Sequence, residues 1–315
     1  MTDQFGREIT YLRLSVTDLC NLRCVYCMPE EGVTKLRHED ILSIEEIGEI
    51  ARAAAGLGVK KIRVTGGEPL VRRGIVDICR LVSAVPGISE VCLTTNGALL
   101  PRFADKLREA GVKRVNFSLD SLDSDKYREI TRGGELSDAL RGIDSAREAG
   151  FEKIKINAVL MGGVNDGDIR ALAELSRTKD THVRFIELMP IGRNADSLKE
   201  RYLAADAVLA AVPELEERGA DGVARLYKLP GGAGTVGLIS AVSMRFCQSC
   251  DRIRITSDGK LKPCLHSPEE VPLRGLRGAK LTEVMREAIR GKPLRHELDG
   301  DSCSSSARDM NAIGG

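Results

Sequence analysis

Tryptophan is absent from the sequence, and aromatic residues make up only 3% of it. So few rings exclude a single-stranded nucleic-acid groove built on base stacking. Net charge is equally sparse: 47 Lys and Arg against 46 Asp and Glu leave +1. No bulk field therefore holds the chain to nucleic acid or to an anionic membrane, and any anionic ligand must be met by cations gathered locally. No apolar run reaches the ~18 residues that a membrane span needs. Residues 1–8 are polar and lack the charged-then-apolar layout of a secretion signal. These absences lead to the expectation of a cytoplasmic protein whose thiols stay reduced. A Walker A sequence is also missing, so a phosphate ligand would not sit in a P-loop.

Cysteine, by contrast, is plentiful. Nine cysteines in a reducing compartment need a role other than disulfides. Six fall into two tight groups near opposite ends of the chain: Cys20, Cys24, Cys27 and Cys247, Cys250, Cys264. Cys79, in a helical pattern, and Cys92, in an apparent strand, read as small buried hydrophobes. Cys303 stands alone in a Ser-rich stretch and fits no pattern.

Short β-rich runs at 11–16, 61–65, 90–94, 114–119, 153–160 and 182–188 alternate with helical patterns at 44–57, 74–84, 103–110, 136–149 and 166–176. Six strand–helix units in series imply a parallel sheet with right-handed crossovers. A complete eight-unit barrel takes about 250 residues, and here the alternation fades after about 188. The expectation is an α/β fold: a partial (βα)6 TIM-like barrel over 1–219 and a C-terminal α+β extension over 220–315 that closes it. In the extension, runs at 236–242, 252–256 and 260–264 read as antiparallel hairpins, followed by a helix near 282–290.

The spacing Cys20-x3-Cys24-x2-Cys27 lies just after the first strand, at the end where such sheets place active sites. Structural zinc wants four ligands, and His38 is the one nearby candidate. A 4Fe–4S cluster normally takes four cysteines; with three, one iron keeps an open position. The x3–x2 spacing, with Tyr26 before the last cysteine, resembles the motif of the radical S-adenosylmethionine superfamily. That resemblance implies an open iron chelated by S-adenosylmethionine, whose reductive cleavage yields a 5′-deoxyadenosyl radical. Gly66-Gly67-Glu68-Pro69 follows the second strand directly, where two glycines let the backbone approach a ligand closely. The triplet Cys247, Cys250, Cys264 repeats the three-ligand logic: either His266 completes a zinc site, or a second 4Fe–4S cluster keeps an open iron for the substrate.

Buried parallel strands normally read as continuous hydrophobic runs, yet Arg13, Lys61, Arg63, Lys155, Arg184, Arg252 and Arg254 interrupt the strands here. Period-two alternation can point them all into the barrel, where unpaired charges are costly unless a polyanion offsets them. Arginine forks and lysine suit a triphosphate.

These features together resemble the family of molybdenum-cofactor biosynthesis protein A, the GTP 3′,8-cyclases. The likeness runs through Leu12-Arg13-Leu14-Ser15-Val16-Thr17-Asp18, Lys61 to Pro69, Arg184-Phe185-Ile186-Glu187, Phe246-Cys247-x2-Cys250 and the terminal Ile313-Gly314-Gly315. It implies two 4Fe–4S clusters, held by Cys20, Cys24 and Cys27 and by Cys247, Cys250 and Cys264. It implies S-adenosylmethionine on Tyr26, Gly67, Ser118 and Met189. GTP would lie on Arg13, Lys61, Arg63, Thr94, Lys155, Arg184, Arg252 and Arg254, and Gly314 and Gly315 would reach into the active site. The implied reaction removes the C3′ hydrogen of GTP and joins C3′ to guanine C8. A flavodoxin- or ferredoxin-type electron donor, a downstream cyclic pyranopterin monophosphate synthase and a homodimer are the partners it implies. The alternatives are another radical enzyme with an auxiliary cluster, acting on a peptide or a phosphorylated substrate, and a non-catalytic zinc module.

Overall fold

The alternating stretches Tyr11-Leu12-Arg13-Leu14-Ser15 and Lys61-Ile62-Arg63-Val64-Thr65 become parallel neighbours in a computed structural model, which describes residues 1–33, 35–151, 153–178, 181–298 and 302–315. They are strands β1 (Tyr11–Ser15) and β2 (Lys61–Thr65). Strands β3 (Glu90–Thr95), β4 (Val112–Ser118), β5 (Ile154–Leu160) and β6 (Thr181–Glu187) follow in chain order, each parallel to the one before. The connecting helices are α1 (Ile44–Gly56), α2 (Ile75–Ser83), α3 (Ala104–Glu109), α4 (Ser124–Thr131), α5 (Leu136–Glu148) and α6 (Ile169–Glu174). Ser43 and Glu46 close a reciprocal capping box at the start of α1, satisfying two of its free backbone N–H groups. Helix α4 was not foreseen, because its short polar sequence buries only Tyr127, Ile130 and Thr131. These six units are the partial barrel expected from the sequence.

The chain continues through α7 (Ala195–Lys199), α8 (Ala207–Ala211), β7 (Glu216–Asp221), β8 (Ala224–Lys228), β9 (Val236–Ile239), β10 (Arg252–Ile255), β11 (Lys260–Lys262), β12 (Val271–Pro272), α9 (Gly278–Arg290) and α10 (Met310–Ile313). Here the hairpin reading needs correction. Strands β10 and β11 do pair antiparallel, but β10 also lies parallel to β1, and β9 parallel to β6. The region beyond 220 therefore extends both edges of one sheet, in the order β12-β11-β10-β1-β2-β3-β4-β5-β6-β9-β8-β7. Strand β7 runs across position 219. Alternation within a strand says which face is buried, not which neighbour it pairs with.

Leu12, Leu14, Ile62, Val64, Ile253 and Ile255 point outward into the main core, which they share with α1, α2, α5 and α9. Leu281, Met285 and Ile289 of α9 recur at four-residue intervals and join it. A second core gathers Val183, Phe185, Val236 and Leu238 from β6 and β9. With the aliphatic side of each strand committed to these cores, the polar side is left to face inward. Among the described residues no helix is long and apolar enough to cross a membrane.

Candidate active site

Register turns the inward residues into rows. Arg252, Tyr11, Lys61 and Glu90 stand side by side across β10, β1, β2 and β3, and Arg254, Arg13 and Arg63 form the next row. Further along the sheet Arg114, Asn116, Lys155 and Arg184 take the same face. A cavity of about 430 Å³ opens over them. It is lined by both cysteine triplets and by every cation singled out in the sequence, with Tyr26, Gly67, Thr94, Ser118, Met189 and Gly315. Gly237, opposite Arg184 on β9, makes room for that side chain, since a Cβ there would meet Arg184 Cδ at 2.5 Å.

The first cysteine loop is held by backbone. Cys27 N donates to Cys24 O at 2.9 Å, and Arg23 N and Val25 N donate to Thr131 O and Ile130 O at the end of α4. Arg132, left-handed at φ 52°, reaches back to donate to Met28 O at 2.9 Å. The Tyr26 hydroxyl donates to Asp120 Oδ2 at 2.8 Å, and Asp120 Oδ1 accepts from Val159 N at 2.7 Å. Glu68, also buried, accepts from Leu70 N, Thr95 Oγ1 and Asn96 N at 2.8–3.0 Å and so joins the ends of β2 and β3. Burial pushes Glu68 up to about 7 and Asp120 up to about 6. The glycines at 66 and 67 line the cavity and serve a second end besides. A Cβ would strike Thr17 O at 2.6 Å or Leu19 O at 2.4 Å, so they admit the chain leading into Cys20 rather than a ligand alone.

The second triplet sits where β10 and β11 meet the N-terminal segment. Buried Arg7 donates to the carbonyls of Cys247 at 2.8 Å, Leu294 at 2.9 Å and Pro293 at 2.7 Å, while its Nε donates to Asp3 at 2.6 Å. Lys292 Nζ donates to Arg252 O at 2.8 Å and Pro263 O at 2.6 Å. The tail is fastened as firmly. Arg308 bridges Asp258 and Glu270, Asp309 pairs with Arg193, and Asn311 Nδ2 donates to Asp18 O. Arg254 thereby donates to Gly314 O. Gly314 has φ 92°, and a Cβ there would lie 2.6 Å from Thr65 Oγ1, so both conformation and space require glycine. Part of the Ser-rich stretch before it (299–301) lies outside the described residues. Cys303, beyond it, bonds Asp196 Oδ1.

The cavity is short of negative charge. Lys61 and Arg114 share Glu90, Lys155 and Arg184 share Asp221, and Arg252 Nε lies 3.9 Å from Asp251, so four of the seven cations singled out in the sequence, and Arg114 besides, have an acidic partner that the sequence did not suggest. Arg13, Arg63 and Arg254 form no ion pair among the described residues. Arg63 donates instead to the Tyr11 hydroxyl and to Thr94 Oγ1. Burial, then repulsion from Arg63 and Arg252, brings Arg13 down to about 10 even beside Tyr11. Burial pushes the Tyr11 phenol up, but Arg63, Arg13, Arg252 and Lys61 outweigh it and bring the group down to about 7. Arg13 Nε, Arg252 Nε and Asn116 Oδ1 are buried without a hydrogen-bond partner. The two arginine donors fit a polyanionic ligand, whereas the Asn116 oxygen, an acceptor, calls for a donor group.

The thiols fit metal clusters. Burial pushes Cys20 up to about 11 and Cys24 well above its ordinary range, so a cationic centre is needed to hold them as thiolates. Each triplet supplies three thiols to the cavity, and in a cubane each thiolate meets a different iron. His38 lies outside the cavity lining. His266 lines it, but its ring packs 4.4 Å from His296 and its Nδ1 lies 3.1 Å from Ser304 Oγ. Tyr11, Arg114 and Asn116 went unremarked in the sequence, although each shares inward parity with a cation on its strand or the next. Arg7, Asp221 and Lys292 leave no local signal, because their partners are distant in sequence.

Family models match in two blocks: Radical SAM superfamily over residues 14–176 and Molybdenum Cofactor Synthesis C over 181–298. The chain is 49% identical over 320 residues to a protein named GTP 3′,8-cyclase from Alkaliphilus oremlandii, with 100% of both chains covered. It is 50% identical to the protein of that name from Pelotomaculum thermopropionicum, again over 100% of each, and 49% identical to that of Geobacter sulfurreducens, over 100% of this chain and 99% of the relative. Among solved structures, SuiB of Streptococcus suis bound to S-adenosylmethionine matches with TM-score 0.64 at 16% identity, over 91% of this chain and 67% of that one. The structure titled native anSMEcpe with bound AdoMet matches with TM-score 0.55 at 14% identity, over 96% and 92%. These two share the fold. The chain therefore belongs to the radical SAM superfamily and, within it, to the GTP 3′,8-cyclase family.

Proposed function

We propose that the protein is the GTP 3′,8-cyclase of molybdenum-cofactor biosynthesis, a lyase that uses two 4Fe–4S clusters and S-adenosylmethionine. The observation that carries this reading is a single cavity lined by both cysteine triplets with rows of cations beside them. Cys20, Cys24 and Cys27 would hold one cluster and Cys247, Cys250 and Cys264 the other. When bound, the first cluster supplies the electron that splits S-adenosylmethionine into methionine and a 5′-deoxyadenosyl radical. Tyr26, Gly67, Ser118 and Met189 bind that cofactor, with Tyr26 kept in place by Asp120. Lys61, Arg63, Thr94, Lys155 and Arg184 take the triphosphate, while Arg13, Arg252 and Arg254 take the nucleoside end and keep C3′ and C8 in reach of each other. The pinned tail puts Gly314 and Gly315 beside Arg254, where they exclude water from the reacting sugar.

In this reading residues 1–219 carry the cofactor side and residues 220–315 the substrate cover, with β7 bridging them. An electron donor of the flavodoxin or ferredoxin type, a homodimer and delivery of product to cyclic pyranopterin monophosphate synthase belong to the same proposal. So does a cytoplasmic setting, supported by nine cysteines that are all free. The test is an anaerobic reaction with reductant, S-adenosylmethionine and each of the four ribonucleoside triphosphates. Consumption of GTP alone, matched by 5′-deoxyadenosine, is expected. Formation of 5′-deoxyadenosine with no nucleotide consumed overturns the cyclase and keeps only the superfamily chemistry.

A further inference from the structure

The turn Asp221-Gly222-Val223-Ala224 joins β7 to β8, and all four residues line the cavity. Strand β7 is the outermost strand of the sheet and is exposed along its whole length. It buries no apolar face. Beyond its ladder with β8, its attachment at the cavity is Asp221, whose Oδ2 accepts from Lys155 Nζ at 2.6 Å and from Arg184 NH2 at 3.2 Å.

The exposures are unequal. The Lys155 and Arg184 side chains are 13% and 5% exposed, whereas that of Asp221 is 52% exposed. The two cations are largely withdrawn from bulk water and gain from an anion beside them. The carboxylate can return to water whenever something better arrives. We infer that Asp221 is an electrostatic latch: it occupies the place of a phosphate on Lys155 and Arg184, and the substrate's phosphates must displace it to bind. The inference rests on the reading of these cations as the triphosphate site. A triphosphate brings more charge and more acceptor oxygens than one carboxylate, and arginine matches phosphate in pairs. Displacement therefore favours the nucleotide while lowering its apparent affinity by the fraction of time the latch is closed.

The experiment measures anaerobic equilibrium binding of GTP and of guanosine to the cluster-loaded protein at pH 7, for wild type, Asp221→Asn and Asp221→Ser. A half-exposed ion pair is worth about 1 kcal/mol, so both variants are expected to bind GTP about fivefold tighter than wild type. Guanosine, lacking phosphates, is expected to bind all three alike. GTP binding that is unchanged or weaker in both variants overturns the latch. Equal tightening for guanosine overturns it too, because the effect would then not run through the phosphate cations. Wild type that binds guanosine as tightly as GTP removes the triphosphate reading itself and the latch with it.

Discussion

Lys155 shows how one side chain carries both the empty and the filled state of the site. Burial, then repulsion from Arg184, pushes its ammonium down to about 8 in spite of Asp221. A bound triphosphate would raise it again, because the charged form gains a strong partner. The sign follows: below about 8 the free enzyme already carries the proton, and above it GTP binding must take one up. Each pH unit above about 8 should therefore weaken GTP binding by about tenfold. Lys155→Arg, which keeps its charge, should flatten that rise. A KM for GTP measured from pH 7 to 9.5 checks both; a wild-type KM that stays level across the range would remove Lys155 from the phosphate site. Residues of this kind were legible in the sequence because a cation inside a β-run is a conspicuous exception. Gly66 and Gly67 were legible only in part: glycine announces a close approach, but not that the approaching group is the backbone of 17–19.

At the scale of elements, the two cysteine loops are built differently. The first is fixed by α4 and by the ends of β2, β3 and β5, through Arg132, Glu68 and Asp120. The second depends on a clasp from the opposite end of the chain. Arg7 is only 7% exposed and ties Asp3, Cys247, Pro293 and Leu294 together. Arg7→Ala would strand a buried carboxylate and four carbonyls, at a cost of about 3 kcal/mol. With Cys247 released, the second triplet should fail to retain its cluster while the first keeps its own. Anaerobic reconstitution followed by iron analysis should find about half the wild-type iron, in keeping with three thiolates per cluster. Full iron content would show that the clasp is dispensable. Nothing in residues 1–8 signals this function, since a lone arginine in a polar segment usually sits in solvent.

For the whole molecule, the feature that matters is one sheet whose outer face is apolar and whose inner face is cationic. Arg254, Arg13 and Arg63 stand in one row and repel each other in the empty protein. A polyanion that binds only the folded state stabilises it by mass action, by about 2.7 kcal/mol at a hundredfold excess over Kd. GTP should accordingly raise the thermal unfolding midpoint by several degrees, and guanosine by clearly less. Equal shifts from the two ligands would mean that the cations are not meeting phosphate.

The sequence by itself determined the six βα units, the parity that sends cations inward, and the two cysteine triplets, because these depend on spacing along a single strand or loop. The tertiary structure alone decided that β9 and β10 join opposite edges of the sheet as parallel strands, and that Asp221 and Glu90 are each shared by two of the cations. It alone decided that Arg7 and Arg308 fasten the second cysteine loop and the tail. Each of these rests on partners far apart in the chain, and periodicity reports which way a side chain faces but never what stands opposite it.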